Sequence, residues 1–122
     1  MNLKSLKFQI RTPLYDETIA FYQNLFQAKL VDSWQGDGGT GTILNFASLE
    51  DRVLLEIYKT EKPNEYSSFS LQFKVPSLPD FMLQLPLKYM STRPVKRPWG
   101  ATYLYLKDPN DIDVIVYQLT GF

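Results

Sequence analysis

The chain has 122 residues, 44% of them apolar and 21% charged, with 13 basic residues against 13 acidic ones. That is an ordinary globular mixture of one-domain length, with no net field to hold nucleic acid or an anionic membrane. It contains no cysteine and no histidine, which excludes disulfides, thiol nucleophiles, thiolate metal sites and any imidazole-based triad.

In chain order, "LKFQIRT" alternates Leu6, Phe8 and Ile10 with Lys7, Gln9 and Arg11, the period of a half-buried strand. In "PLYDETIAFYQNLFQ", Tyr15, Ile19, Tyr22 and Phe26 fall at helical spacing, with Pro13 where a first-turn proline is tolerated. The segments "AKLVDSW", "TILNFAS" and "RVLLEIY" read as three hairpin-linked strands, the first two joined by the glycine-rich "QGDGGTG". No Gly-Lys-Ser/Thr and no helix follow those glycines, so a flexible hairpin loop is expected rather than a phosphate cradle. Trp34, just before it, reads as an edge-strand anchor or a lid.

After the polar linker "KTEKPNEY" the order restarts. "SSFSLQFKV" alternates like the first strand. "SLPDFMLQL" places Ser77 and Asp80 at capping-box spacing and Leu78, Phe81 and Leu85 on one face, with Pro86 ending the helix. "YMSTRPV", "ATYLYLK" and "IDVIVYQ" supply three more strands. The fold class is therefore α+β: two βαβββ modules, at about 3–59 and 67–118 with a linker at 60–66, in a single domain. One short helix cannot cover a four-stranded sheet, so the halves are expected to form one curved mixed sheet with an open concave face for a ligand.

This order, with "TIAFYQNLFQAKL" and the closing "WGATYLYLKDPNDIDVIVYQ", resembles the glyoxalase/bleomycin-resistance/extradiol-dioxygenase (vicinal oxygen chelate) superfamily over nearly the whole chain. The resemblance implies the glyoxalase/bleomycin resistance/dihydroxybiphenyl dioxygenase-like fold. One departure is Asp111, where the family usually has glycine; Asp can adopt the left-handed conformation that such a turn needs. Metal-using members place one ligand on each of four strands. By that resemblance the four positions are Lys7, Glu56, Ser70 (Ser68 if the register slips) and Ile115, and Glu56 alone matches a family ligand. A lone carboxylate and a hydroxyl beside an ammonium are a poor set for a divalent ion, so no metal or other cofactor is expected.

A carboxylate on that face needs a partner, and Lys7 is expected to pair with Glu56 in the metal's place. Residues of the same parity complete the wall: Gln9 and Arg11, Tyr58, Gln72, and Asp113 with Tyr117. Phe8, Ile10, Leu55, Ile57, Phe69, Leu71 and Val114 are expected to face the helix-packed core. "TRPVKRPWG" groups Arg93, Lys96, Arg97 and Trp99 between prolines. It reads as a charged, proline-blunted edge, or as a pocket rim where Arg97 or Trp99 meets an anionic or planar ligand.

The leading expectation is a small-molecule binding protein, similar to bleomycin-resistance proteins, using Lys7, Gln9, Arg11, Glu56, Tyr58, Ser70, Gln72, Trp99 and Tyr117. An enzyme of the same superfamily is the alternative, a lyase or isomerase such as the lactoylglutathione lyases, with Glu56 as general base. A structural interaction module is the third. A homodimer is implied by the resemblance. No run is long enough to span a membrane and "MNLKSLKFQIRTP" lacks the apolar core of a signal peptide, so a cytoplasmic location is expected.

Overall fold

The computed structural model describes residues 3–119. They fall into two compact units, one running to Asn64 and the other starting at Glu65. No helix among the described residues is long and apolar enough to cross a membrane.

In the first unit, β1 (Ser5–Thr12) leads into α1 (Tyr15–Phe26), followed by β2 (Lys29–Gly36), β3 (Gly39–Asn45) and β4 (Arg52–Lys59). The sheet order is β1-β4-β3-β2, with β4 parallel to β1 and antiparallel to β3. The helix makes the crossover that a parallel neighbour requires. Ile10, Leu44, Leu55 and Ile57 point to its side and are fully buried, together with Tyr22. Phe21, Tyr22, Phe26 and Phe46 meet there in edge and stacked contacts with centroids 4.9–6.4 Å apart.

The helix is rotated slightly from the sequence expectation. Its buried residues are Thr18, Phe21, Tyr22 and Leu25, while Tyr15, Ile19 and Phe26 are half-buried. Two threonines explain much of this: the Thr18 hydroxyl donates to the Leu14 carbonyl at 2.6 Å, and that of Tyr15 shares a hydrogen bond with Thr42. A hydroxyl satisfied locally can be buried as an apolar group would be. Pro13 lies two residues ahead of the helix, whose cap residue is Leu14.

In the second unit, β5 (Ser70–Lys74) and α2 (Leu78–Leu83) precede β6 (Val95–Arg97), β7 (Ala101–Lys107) and β8 (Asp113–Leu119), in sheet order β5-β8-β7-β6. Again the first and last strands are parallel. Ser77 caps α2 by accepting from the Asp80 amide at 3.2 Å, and Leu78, Phe81 and Leu85 are buried as the spacing requires. Leu104, Leu106, Val114 and Val116 complete this core.

Two sequence expectations fail here. "YMSTRPV" is not a strand: residues Leu87–Tyr89 form a 3-10 turn, Met90 makes one bridge to Leu106, and pairing resumes only at Val95. Pro94 lacks the N–H that a ladder needs and restrains the residue before it. β5 is also shorter than its alternation suggested, because Ser67 and Ser68 lie in a turn closed by the Phe69 amide on the Tyr66 carbonyl at 3.0 Å. Ser68 is therefore no alternative to Ser70 on the strand, and Phe69, half-buried, precedes it.

Candidate functional site

Register decides which side chains share a face, since residues opposite each other across a ladder point the same way. In the first unit Gln9 pairs with Glu56, which pairs with Ile43 and thence Asp32. The next row is Arg11, Tyr58, Gly41 and Trp34. Both rows lie on the face away from α1. The parity expected for Lys7, Gln9, Arg11, Glu56 and Tyr58 is the one observed.

Glu56 is the centre of this face. Its side chain is 12% exposed, against 47% for Lys7. Lys7 Nζ donates to Glu56 Oε1 at 3.0 Å and Gln9 Nε2 donates to Oε2. Arg11 Nε donates in turn to Gln9 Oε1 at 2.9 Å, and its guanidinium lies 5.7 Å from the centroid of the Tyr58 ring. Burial pushes the Glu56 carboxyl upward, but the hydrogen bonds from Gln9 and Lys7 and the charges of Lys7 and Arg11 outweigh it. The net effect is a pKa below the ordinary carboxylate value.

The glycine-rich stretch supports this face rather than forming a flexible loop. Gly36 pairs with Gly39, so only Asp37 and Gly38 make the turn. Gly39 sits at φ 112°, and a Cβ there would collide with the Tyr58 hydroxyl. That hydroxyl donates to the Gly38 carbonyl at 2.8 Å. A Cβ on Gly41 would strike the Trp34 ring in the same way. Trp34 is thus packed across its own hairpin, as an anchor. Sequence reading missed this use of the glycines; the signal was their alternation, Gly39 and Gly41, with Gly41 level with Trp34 and Tyr58.

In the second unit the face away from α2 carries three rows. Lys74 pairs with Tyr117 and Tyr117 with Tyr103; Gln72 with Ile115 and Ile115 with Tyr105; Ser70 with Asp113 and Asp113 with Lys107. Ser70, Gln72 and Tyr117 therefore do share one face of their own sheet. Trp99 joins it through an indole N–H donated to the Tyr103 hydroxyl at 3.3 Å. Tyr103 and Tyr105 were legible only as strand aromatics, because their alignment with Tyr117 depends on the length of the turn at 108–112.

The donors do not suit a divalent ion. At the four positions the resemblance assigns to ligands, Ile115 offers hydrocarbon, Ser70 a neutral hydroxyl and Lys7 an ammonium already on Glu56, while both Glu56 oxygens are engaged. Among the described residues no cluster of three or more His, Cys, Asp or Glu could hold a metal.

The class that this architecture defines is the vicinal oxygen chelate fold: paired βαβββ units, each with its first and last strands parallel. A fosfomycin resistance protein FosX variant from Listeria monocytogenes, complexed with Mn(II) and 1S,2S-dihydroxypropylphosphonic acid, is 16% identical with a TM-score of 0.69, over 99% of this chain and 92% of that chain. A glyoxylase/bleomycin resistance protein/dioxygenase domain from Frankia sp. is 14% identical at TM-score 0.68, over 99% and 93%. A lactoylglutathione lyase from Agrobacterium tumefaciens is 13% identical at 0.65, over 93% and 91%. No protein-family model and no curated protein sequence matches the chain.

Proposed function

We propose that this protein binds a small organic molecule bearing hydrogen-bonding groups on its polar sheet faces, without a divalent ion at Glu56. The observation that carries this reading is the state of Glu56: a nearly buried carboxylate with one oxygen on Lys7 and the other on Gln9. A carboxylate so occupied has little left for a metal, whereas Lys7, half-exposed, and Arg11 offer donors to an incoming ligand. In the first module the face that would take a ligand carries Lys7, Gln9, Arg11 and Tyr58; the second module's own face carries Ser70, Gln72, Trp99 and Tyr117. A homodimer in the cytoplasm belongs to the same reading.

The lyase or isomerase alternative asks Glu56 to act as a general base. A base works best with its pKa near the working pH, and Glu56 is held in the opposite direction by its partners. Binding is therefore ranked above catalysis.

Metal analysis and a thermal-shift screen test the reading together. The expected result is a metal-free protein whose melting point rises with a ligand; at a hundred times its dissociation constant the gain is about 2.7 kcal/mol. Loss of that gain in Glu56→Gln and Lys7→Met would place the ligand beside the pair. Stoichiometric Mn, Ni or Zn retained by the protein and lost in Glu56→Gln would overturn it.

A further inference from the structure

Among the described residues, the second module carries a half-buried positive charge without a carboxylate partner. Arg97 Nη2 donates to the Tyr105 hydroxyl at 2.7 Å, and its guanidinium lies 5.8 Å from the Tyr105 ring centroid and 5.9 Å from that of Trp99. Among the described residues the ion pairs are Lys7–Glu56 and Lys107–Asp113. Neither pair includes Arg97. It is half-buried, a costly place for an unpaired charge unless something else meets it.

The surroundings are aromatic. Trp99 contacts Tyr103 at 6.0 Å, and Tyr103 contacts Tyr105 at 6.3 Å and Tyr117 at 5.3 Å, all edge-on. Trp99 is 57% exposed, so an indole face remains for stacking. Lys74, the register partner of Tyr117, adds a second unpaired cation at the far end of the row. Asp113, the acid on this face among the described residues, is neutralised by Lys107. Rings with π faces, two cations and no free acid match a flat guest carrying negative charge.

We propose that this platform binds a planar aromatic anion, its ring against Trp99 and the tyrosines and its negative group on Arg97, with Lys74 adding positive potential from the opposite edge of the sheet. The inference rests on the small-molecule reading above and narrows it for the second module.

The test uses the full chain and three probes: 1-naphthoate, its uncharged analogue 1-naphthamide, and cyclohexanecarboxylate, which has the charge but no flat ring. The readout is the indole N–H resonance of Trp99, assigned through Trp99→Leu, with Trp34 as internal control. 1-Naphthoate is expected to move the Trp99 signal saturably and leave Trp34 in place. The other two probes should bind about tenfold more weakly or worse. Arg97→Gln should weaken naphthoate by about tenfold. Lys74→Gln, at an exposed position with no packing to lose, should weaken it by a smaller factor. No saturable shift, equal binding of the amide, or wild-type affinity in both Arg97→Gln and Lys74→Gln would overturn the proposal. If the thermal-shift screen yields only ligands that are neither planar nor anionic and naphthoate is silent, this inference falls and the broader reading stands. If naphthoate binds with the stated dependence on Arg97 while no ligand depends on Glu56, the broader placement falls and the platform stands.

Discussion

Lys7 and Glu56 meet at 3.0 Å although they are not register partners: Lys7 lies opposite Leu54, and Glu56 opposite Gln9. The pair is diagonal, and the residue level with Glu56 supplies the second hydrogen bond. Lys7→Met removes one of the hydrogen bonds and the nearer charge that hold the Glu56 pKa down, while burial, which raises it, remains. The Glu56 carboxyl should then titrate at higher pH in the variant, as followed by its carboxyl ¹³C shift. A group lowered by folding stabilises above its unfolded pKa, and that stability is lost as pH falls through the folded value. The wild-type protein should therefore lose stability on acidification below the ordinary carboxylate range, and Lys7→Met should lose less over that range. With Lys7 half-exposed, the variant's deficit near neutrality is about 1 kcal/mol. An unchanged Glu56 titration would contradict the pairing.

Gln9 connects the two ends of the network, donating to Glu56 and accepting from Arg11. Gln9→Leu leaves a nearly buried carboxylate oxygen without its donor, a loss of about 1–3 kcal/mol. Because Gln9 and Lys7 act on one carboxylate, Gln9→Leu and Lys7→Met should not be additive, and a double-mutant cycle by denaturant unfolding measures the coupling. Additivity within about 0.3 kcal/mol would mean that the two contacts act independently.

Gly39 is constrained twice, by its positive φ and by the Tyr58 hydroxyl lying where a Cβ would go. Gly39→Ala should destabilise by about 2–4 kcal/mol, combining backbone strain with the displaced ring. In a Tyr58→Ala background the steric part disappears and the φ penalty remains, so the same substitution should cost about 1–2 kcal/mol. Equal costs in both backgrounds would show that the ring moves aside freely.

The faces of β1 and β4 were readable because alternation is strict in "LKFQIRT" and because Leu55 and Ile57 flank Glu56 with hydrocarbon. A slip of one residue would have put Ile10 in water and Arg11 in the core, and the sequence offers no way to offset that. Thr18 and Thr42 were not readable as core, since their burial rests on local hydroxyl partners that a hydropathy pattern does not register. "YMSTRPV" has the β-formers of a strand, but Pro94 cancels them through a missing donor, an effect of one atom rather than of average propensity. Arg97 showed the same limit from the other side. Its charge was visible, while its place between Trp99 and Tyr105 depends on the hairpin turn at Gly100, which has φ 85°.

The turn between β7 and β8 rests on Asp108, whose Oδ1 accepts from the amides of Asn110 at 2.7 Å and Ile112 at 2.9 Å. Its own amide donates to the Ile112 carbonyl at 3.1 Å, and Asp111 takes φ 63°, the left-handed conformation the turn requires. The carboxylate is thus a local template: it satisfies two amides that would otherwise be left unpaired near the fully buried Ile112. Asp108→Ala removes both acceptors and should destabilise by about 2–3 kcal/mol. Asp108→Asn keeps an amide oxygen in the same place and should recover most of that loss. The comparison, made by urea unfolding, separates geometry from charge. If Asn were as damaging as Ala, the negative charge rather than the paired acceptor would be holding the turn, and the register that aligns Tyr105 with Ile115 would depend on it.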